Sequence, residues 1–471
     1  MSSITTSNVT SGFIDLATFD EIEKYLYGGH DATAYFVRET RKATWFTQVP
    51  VVLSRAAGSP AFGQEWSVAI SRAGDYMLHT WLRVTFPEVA IKSTFNTDTN
   101  IRIRWTNNLM HNLIRECCIT FNDLIAARFD NYHLDFWAAF TVPASKRTGY
   151  LNMIGSVSDL NAPTSIATGP LALKTLNLPL PFFYSRDSGV ALPTAALPYN
   201  EMRINFHFRE WNQLLIMERA ADNDNFQGEQ RMTIDPTVHL EKGAPILGNT
   251  QVWANYAIVS NDERKRMACA PRDILVEQVQ TAPRQSYTPA SNPQQSFDIR
   301  FSHAIKVLFF SVRNSTWLSE WSNYTTNSPY VKIAGAGGSS LDFTPKTTGD
   351  PISQTSLIYE NTNRLGAMGS DYFSLVNPWF HAPTIPVNTG YHMYSYSLDF
   401  MSLDPMGSTN YGKLTNVSIV PECSINAINA ANGTAGAGTG ASVKQTYEFI
   451  VTAINNNIIR VSGGALGFPV L

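Results

Sequence analysis

The sequence predicts an all-β chain: two tandem eight-stranded jelly rolls, a double jelly roll, with short helices and long loops. Three observations carry that prediction. Short segments with apolar residues at every second position recur along the 471 residues, the period that buries one face of a sheet and wets the other. Connections bearing Pro, Gly and Asn separate these segments, and no long helical patterns alternate with them as a parallel sheet would require. No internal repeat of about 20 to 50 residues is present, which sets aside solenoids and propellers.

Taken in order, residues 1–32 read as an N-terminal arm with one short amphipathic helix. Thr18-Phe19-Asp20-Glu21 fits a capping box, with Thr18 at the N-cap and Glu21 reaching back to it; Phe19, Ile22 and Leu26 follow at helical spacing and Gly28-Gly29 ends the helix. Residues 33–212 form the first roll. Its strands include Trp66 to Ile70, the alternating Leu78, Thr80, Leu82, Val84 and Phe86, and Ile114 to Phe121; Asn131 to Phe140 reads as a helix ended before Pro143, and residues 155–178 as a loop. The weakly patterned residues 213–245 read as a linker, and residues 246–471 as the second roll. Its expected strands are Val252 to Val259, Ile274 to Val279, Phe297 to Phe301, Ile305 to Val312, Leu357 to Tyr359, Tyr394 to Phe400, Val417 to Val420, Tyr447 to Ala453 and Ile458 to Val461. Gly-, Ser- and Thr-rich inserts at 334–349 and 430–442 read as exposed loop tips.

One stretch near the middle organises the rest. Prolines at 179, 181, 193 and 198 forbid a helix interior through Pro179-Leu180-Pro181-Phe182-Phe183-Tyr184-Ser185-Arg186-Asp187-Ser188-Gly189-Val190-Ala191-Leu192-Pro193, and Gly189 permits a turn. This rigid loop feeds a two-faced strand, with Met202, Ile204, Phe206 and Phe208 on one side and Arg203, Asn205, His207 and Arg209 on the other.

Composition narrows the function. Charged residues are 15%, against about 25% in ordinary soluble domains, while aromatics reach 12%; a sparsely charged surface suits permanent contact with other proteins. A net charge of −3 supplies no basic field for nucleic acid. Cys117, Cys118, Cys269 and Cys423 match neither a zinc site nor a disulfide framework, and a reducing compartment with Cys117 and Cys118 as buried small hydrophobes is the simpler reading. Without a basic-then-apolar leader or an apolar run near about 18 residues, the chain reads as soluble and cytosolically made.

Catalytic and binding motifs are sparse. Asp187-Ser188-Gly189 lacks the flanks of a serine nucleophile, and G-x-S-x-G is absent. In Asp222-Asn223-Asp224-Asn225, Gln227 and Thr233 stand where a calcium loop needs Gly and Glu, and Gly436-Ala437-Gly438-Thr439-Gly440 lacks a phosphate-binding lysine. The histidines at 30, 79, 111, 133, 207, 239, 303, 381 and 392 form no H-x-H or H-E-x-x-H. Asp262-Glu263-Arg264-Lys265-Arg266 mixes signs and reads as a solvated turn or salt-bridged helix end. No catalytic, cofactor-binding or metal residue is assigned, and no enzyme activity is expected.

The central stretch, continuing through Thr194-Ala195-Ala196-Leu197-Pro198-Tyr199-Asn200-Glu201, resembles a segment of the major capsid proteins of large icosahedral double-stranded DNA viruses, and in wording their iridovirus members. Three more segments share the resemblance: Gly74-Asp75-Tyr76, the run Tyr256 to Gln280, and Pro405 to Gly412 with the terminal Asn455 to Ala465. The resemblance implies a nucleocytoplasmic large DNA virus double jelly-roll capsid protein. Three such chains present six similar sandwiches, so a homotrimeric capsomer mimics a hexagon and tiles an icosahedral facet of the virion, assembled in the host cytoplasm. It further implies contacts with neighbouring capsomers and with minor capsid and cementing proteins, an arm on the inner side near those proteins or the internal membrane, and no direct contact with nucleic acid. A soluble β-sandwich carbohydrate-binding or carbohydrate-active protein is the alternative, encouraged by the many Trp and Tyr residues.

Overall fold

The structure, a computed structural model, describes residues 2–94, 101–219, 230–316, 318–326, 349–433 and 444–468. The chain divides into Met1–Trp45 and Phe46–Leu471. In the first unit, helix α1 (Ser2–Ala17) precedes helix α2 (Glu21–Leu26). The expected Thr18 capping box is not formed. Because α1 runs through the small polar residues to Ala17, Thr18 is spent at its end, donating to the Asp15 carbonyl, and Asp20 takes the N-cap of α2 without a side-chain bond. The apolar side chains Val9, Phe13, Ile14, Leu16, Phe19, Ile22, Tyr25 and Leu26 are all exposed.

Strands begin at Phe46, later than Thr33. The first sandwich draws on β1 (Phe46–Val52), β2 (Ser54–Gly58), β3 (Glu65–Ala69), β4 (Tyr76–Phe86), β5 (Ile101–Trp105), β6 (Ile114–Phe121), β7 (Leu124–Phe129), β8 (Lys174–Pro179), β9 (Met202–Phe208), β10 (Leu215–Arg219), β11 (Gln230–Arg231) and β12 (Gln251–Val259). One sheet runs β1-β12-β4-β8 and the other β2-β3-β9-β6-β7, with a small β11-β10-β5 sheet beside them. Leu82, Val84 and Phe86 of one sheet and Trp66, Val68, Ile204 and Phe206 of the other share a single core. The alternation read in the sequence is what places them there: β9 is buried at every second residue.

The second sandwich uses β13 (Arg272–Thr281), β14 (Gln285–Tyr287), β15 (Phe297–Asp298), β16 (Ala304–Asn314), β17 (Ile352–Tyr359), β18 (Thr362–Gly369), β19 (His392–Ser395), β20 (Thr409–Asn410), β21 (Val417–Cys423), β22 (Tyr447–Ser462) and β23 (Ala465–Gly467). Among the described residues one sheet has seven strands, β13-β22-β16-β19 with β14 and β23 on β22 and β20 on β16, and the other has four, β15-β21-β17-β18. The two expected strands at the C-terminal end are one, β22, and the expected strand Tyr394 to Phe400 stops at Ser395. The shorter helices are α3 (Leu109–Leu113), α4 (Asn131–Thr141), α5 (Ala144–Ile154), α6 (Ser158–Asn161), α7 (Pro236–His239), α8 (Asn261–Cys269), α9 (Asn377–His381) and α10 (Ile425–Asn432). Of the two inserts, 334–348 and 434–442 lie outside the described residues.

Three segments fold otherwise than their pattern predicts. Residues 213–245 include β10, which pairs with β5, so this stretch is not only a linker. Strand β12, expected to open the second roll, pairs with β1 and β4 and so completes a sheet of the first. The loop expected over 155–178 holds α6 and the start of β8. Alternation marks a strand but not its partner, and β12 alternates as well for either sheet.

The first signature, Gly74-Asp75, explains how β12 is held. A Cβ on Gly74 would sit 2.6 Å from the Tyr256 Cβ, so only glycine admits this crossing. Asp75, nearly inaccessible, accepts from the Val259 amide at 2.9 Å and from Arg264 Nε and Nη2 at 2.8 and 3.0 Å. Arg264 belongs to the mixed-charge run, which forms the helix α8. Asp75→Ala and Arg264→Ala are each expected to lower stability by about 1–3 kcal/mol in chemical denaturation, and the double variant by less than their sum, because both break one interaction.

Candidate functional site

Helix α4 lies in the seam between the sandwiches. Asp130 caps it, accepting from the His133 amide at 2.9 Å, and Phe136 and Phe140 both stack on Phe309 of β16, with ring centroids 6.1 and 5.4 Å apart. Trp137 meets Phe400 edge-on at 6.2 Å. The core of the first sandwich therefore continues into the second.

At the centre of α4 the buried Asp135 carboxylate accepts four hydrogen bonds. Oδ1 receives His111 Nδ1 at 2.7 Å and Asn108 Nδ2 at 3.2 Å; Oδ2 receives Ser322 Oγ at 2.9 Å and the Tyr324 hydroxyl at 2.7 Å. Burial, then the Asp135 charge, pushes Tyr324 well above the usual phenol range, so it stays a donor. With Nδ1–H of His111 donating to Asp135, Nε2 accepts from the Tyr150 hydroxyl at 2.6 Å. Two donors come from the first sandwich and two from the segment after β16, so one carboxylate ties both together.

The central stretch adds two arginines to this seam. Burial lowers the Arg186 guanidinium, Glu277 of β13 opposes that shift, and the pair is an ion pair with Arg186 3.9 Å over the Trp137 ring. Lys306 of β16 reaches the same Glu277 and donates to the Ser402 carbonyl at 2.7 Å. Arg209, at the end of β9, stacks 3.5 Å over Trp321, whose ring also lies 4.3 Å from Arg313. Arg209 bonds the Asn112 carbonyl at 2.9 Å and Asn131 Oδ1 at 3.2 Å, and burial pulls it down to about 10, still a cation at neutral pH.

The loop ahead of β9 is buried rather than laid over the surface. Phe182, Phe183, Tyr184, Val190, Leu192 and Leu197 are in the core, and three 3-10 turns satisfy much of the backbone locally. Arg72 donates to the Leu197 carbonyl at 2.7 Å and the Asn200 carbonyl at 2.6 Å, and Thr194 Oγ1 to the Gly74 carbonyl at 2.9 Å. Gly189 does lie in a turn, the 3-10 turn Ser188–Val190, but that turn does not require glycine. The residue lies outside the left-handed region and its Cβ would touch only Asp187 Oδ2, at 3.4 Å.

Asp187 and Ser188 are exposed, their hydroxyl–carboxylate contact is a long 3.5 Å, and no histidine bonds Ser188. Asp222 to Asn225 and Gly436 to Gly440 lie outside the described residues. Among the described residues no cluster of three His, Cys, Asp or Glu side chains has metal-holding geometry. Cys117 is fully buried and burial pushes its thiol well up; Cys118, on the opposite face of β6, is half-buried, Cys423 is buried and Cys269 is exposed.

Sequence reading missed one cluster. Ser370, His392 and Asp350, far apart in the chain, meet where β19 faces the end of β18: His392 Nε2 lies 2.6 Å from Ser370 Oγ and 2.9 Å from Asp350 Oδ2. A proton relay needs the acid and the hydroxyl on opposite ring nitrogens, and here both use one. The imidazole also stacks flat on Phe310 at 5.1 Å. Burial raises the Asp350 carboxyl, but His392, Ser370 and the Ile352 amide outweigh it and hold it below the usual range. The cluster ties strands together. No sequence spacing announces it.

Two antiparallel sandwiches locked edge to edge, with a sparsely charged surface, define a double jelly-roll building block. Residues 34–259 match the family described as major capsid protein N-terminus, and residues 263–467 the large eukaryotic DNA virus major capsid protein. The major capsid protein of Costelytra zealandica iridescent virus is 65% identical over the whole of both chains, and that of Frog virus 3 is 46% identical over the whole of both. Among solved structures, PBCV-1 VP54 superposes with a TM-score of 0.74 at 20% identity, covering 93% of this chain and 100% of that one. The Faustovirus major capsid protein superposes with a TM-score of 0.65 at 12% identity, covering 92% and 93%. The chain belongs to the family of major capsid proteins of large eukaryotic DNA viruses, with iridescent virus members as its relatives, and its function is to form the viral capsid shell. The carbohydrate-binding alternative finds no support in these likenesses.

The seam makes stability pH-dependent. Burial, then the Arg186 charge, lowers His133 from its ordinary value to about 3. The unfolded chain takes up that proton below about 6.5 and the folded chain does not, so stability is complete above that pH and falls as pH drops toward 3. His133→Phe is expected to reduce the loss between pH 7.5 and pH 5 by about 2 kcal/mol, read from denaturation midpoints at both pH values.

Proposed function

We propose that the chain assembles as a homotrimer whose six sandwiches present a near-hexagonal outline, and that these capsomers tile flat facets of an icosahedral shell. The single observation that carries this reading is the seam. Two sandwiches, one of four strands on five and one of seven on four, are joined through buried charge and aromatic contacts, so each chain offers two rigid corners in place of one. Closed rotational symmetry then turns three chains into a ring without loose ends.

On this reading the protein is not an enzyme. The division into rolls falls between Val259 and Arg272, where sheet pairing changes over and the two family matches meet. The arm, with its exposed apolar side chains, faces the shell interior and engages minor capsid proteins there, close to the internal membrane; cementing proteins and neighbouring capsomers take the rims. Synthesis and assembly occur in the host cytoplasm, and the genome is not contacted directly, in keeping with a net charge of −3.

Light scattering after size exclusion, across a concentration series at moderate ionic strength, is expected to give a species at about three times the 52.2 kDa chain mass. A strictly monomeric species would overturn the trimer.

A further inference from the structure

The face that carries α5 holds two unpartnered features side by side. One is a groove of about 1040 Å³ lined by Trp81, Trp137, Pro143, Lys146, Met153 and Pro181. The other is a ridge on and beside α9, where Trp379 and Phe380 are each 71% exposed and Leu398 is exposed to the same extent. They share a wall. Arg147 of α5 donates to Thr384 Oγ1 at 2.8 Å, His381 Nδ1 bonds the Leu398 carbonyl at 3.0 Å, and Phe400 packs under the groove's Trp137.

The groove is poorly suited to a small polar ligand. Most of its buried polar groups are already engaged: Arg186 Nη2 with Glu277, the Tyr150 hydroxyl with His111, and Thr80 with the Tyr184 hydroxyl at 2.9 Å, which leaves Arg186 Nη1 as a single unpartnered donor in the lining. Sites for small molecules instead present a few free, convergent polar groups. An occupant that brings aromatic surface is what remains. Trp379 and Phe380 would bury about 300–500 Å² together, a large share of the roughly 800 Å² per partner of a stable interface. The rims also complement in charge. Exposed Lys146 lines the groove and makes no ion pair among the described residues, and Asp399, next to Leu398, stands exposed on the ridge.

We propose that the Trp379–Phe380 ridge of one copy seats in the α5 groove of the next, and that this heterologous contact closes the ring. The proposal rests on the trimer reading and names its contact. Ridge and groove lie next to each other on one chain because, near a threefold axis, the two contact faces of each subunit converge. A second copy is thus the occupant.

Full-length chains carrying Trp379→Cys and Met153→Cys, both at exposed positions, are co-expressed, purified as oligomers and oxidised. Covalent dimers are expected on a non-reducing gel, with none from either variant alone; the exposed Cys269 makes that control necessary. Both substitutions in one chain are expected to give a covalent trimer. Wild-type trimers in solution without a cross-link from position 379 to 153, or to Gly149→Cys as a second choice, would overturn the ridge-in-groove contact while leaving the trimer intact. A cross-link formed only in larger arrays, or one from Phe13→Cys in the arm to position 153 instead, would overturn it equally. A wild-type chain that is monomeric throughout would overturn both readings.

Discussion

Much of this structure depends on burying one carboxylate, Asp135, and satisfying it completely. A charge taken out of water costs several kcal/mol, and its burial is tolerable only when donors fill its lone pairs. Here four donors do so, from Asn108 and His111 on one side and Ser322 and Tyr324 on the other. Moving one sandwich relative to the other would strip at least two of them and leave the charge underpaired. Apolar contacts across the seam tolerate small slips at low cost, but a fully bonded carboxylate does not. The stacked Phe136, Phe140 and Phe309 add affinity to the seam, and Asp135 adds register.

The same logic runs through the other ties. Arg186 to Glu277, Asp75 to Arg264 and Arg209 over Trp321 each join segments separated by many tens of residues, and most are desolvated. Buried pairs of this kind give fixed geometry more than net stability. For a tile that must repeat without accumulating error across a shell, fixed geometry is the property that matters. The sparsely charged surface fits the same role, since edges meant to meet copies of themselves cannot carry a large field of one sign.

Local elements were legible in the sequence where one period governed them. Strand β9 and strand β4 follow their alternation, and α4 begins beside Asp130 as its helical pattern and following Pro143 suggest. Pairing was not legible, because β12 alternates equally well for either sandwich and only its neighbours β1 and β4 decide. The Thr18 capping box failed since a box pattern says nothing about whether the preceding residues are already helical. The resemblance of the central stretch and of Gly74-Asp75 drew attention to the right segments. What those residues do, a close Gly74–Tyr256 crossing and a carboxylate clasp on α8, comes only from contacts between distant positions. The Asp135 and His392 clusters left no local trace, because polar residues buried by tertiary contacts look like any others in the sequence.

Hydrogen exchange of the native protein, followed by peptide mass spectrometry, tests the seam most directly. If the two sandwiches are one rigid body, amides of α4, of β16 and of the segment 318–326 exchange only through global unfolding and share one free energy of opening. Earlier exchange of α4 and that segment, with the strands of either sandwich still protected, would show the seam opening by itself. The two sandwiches would then not form a single rigid tile.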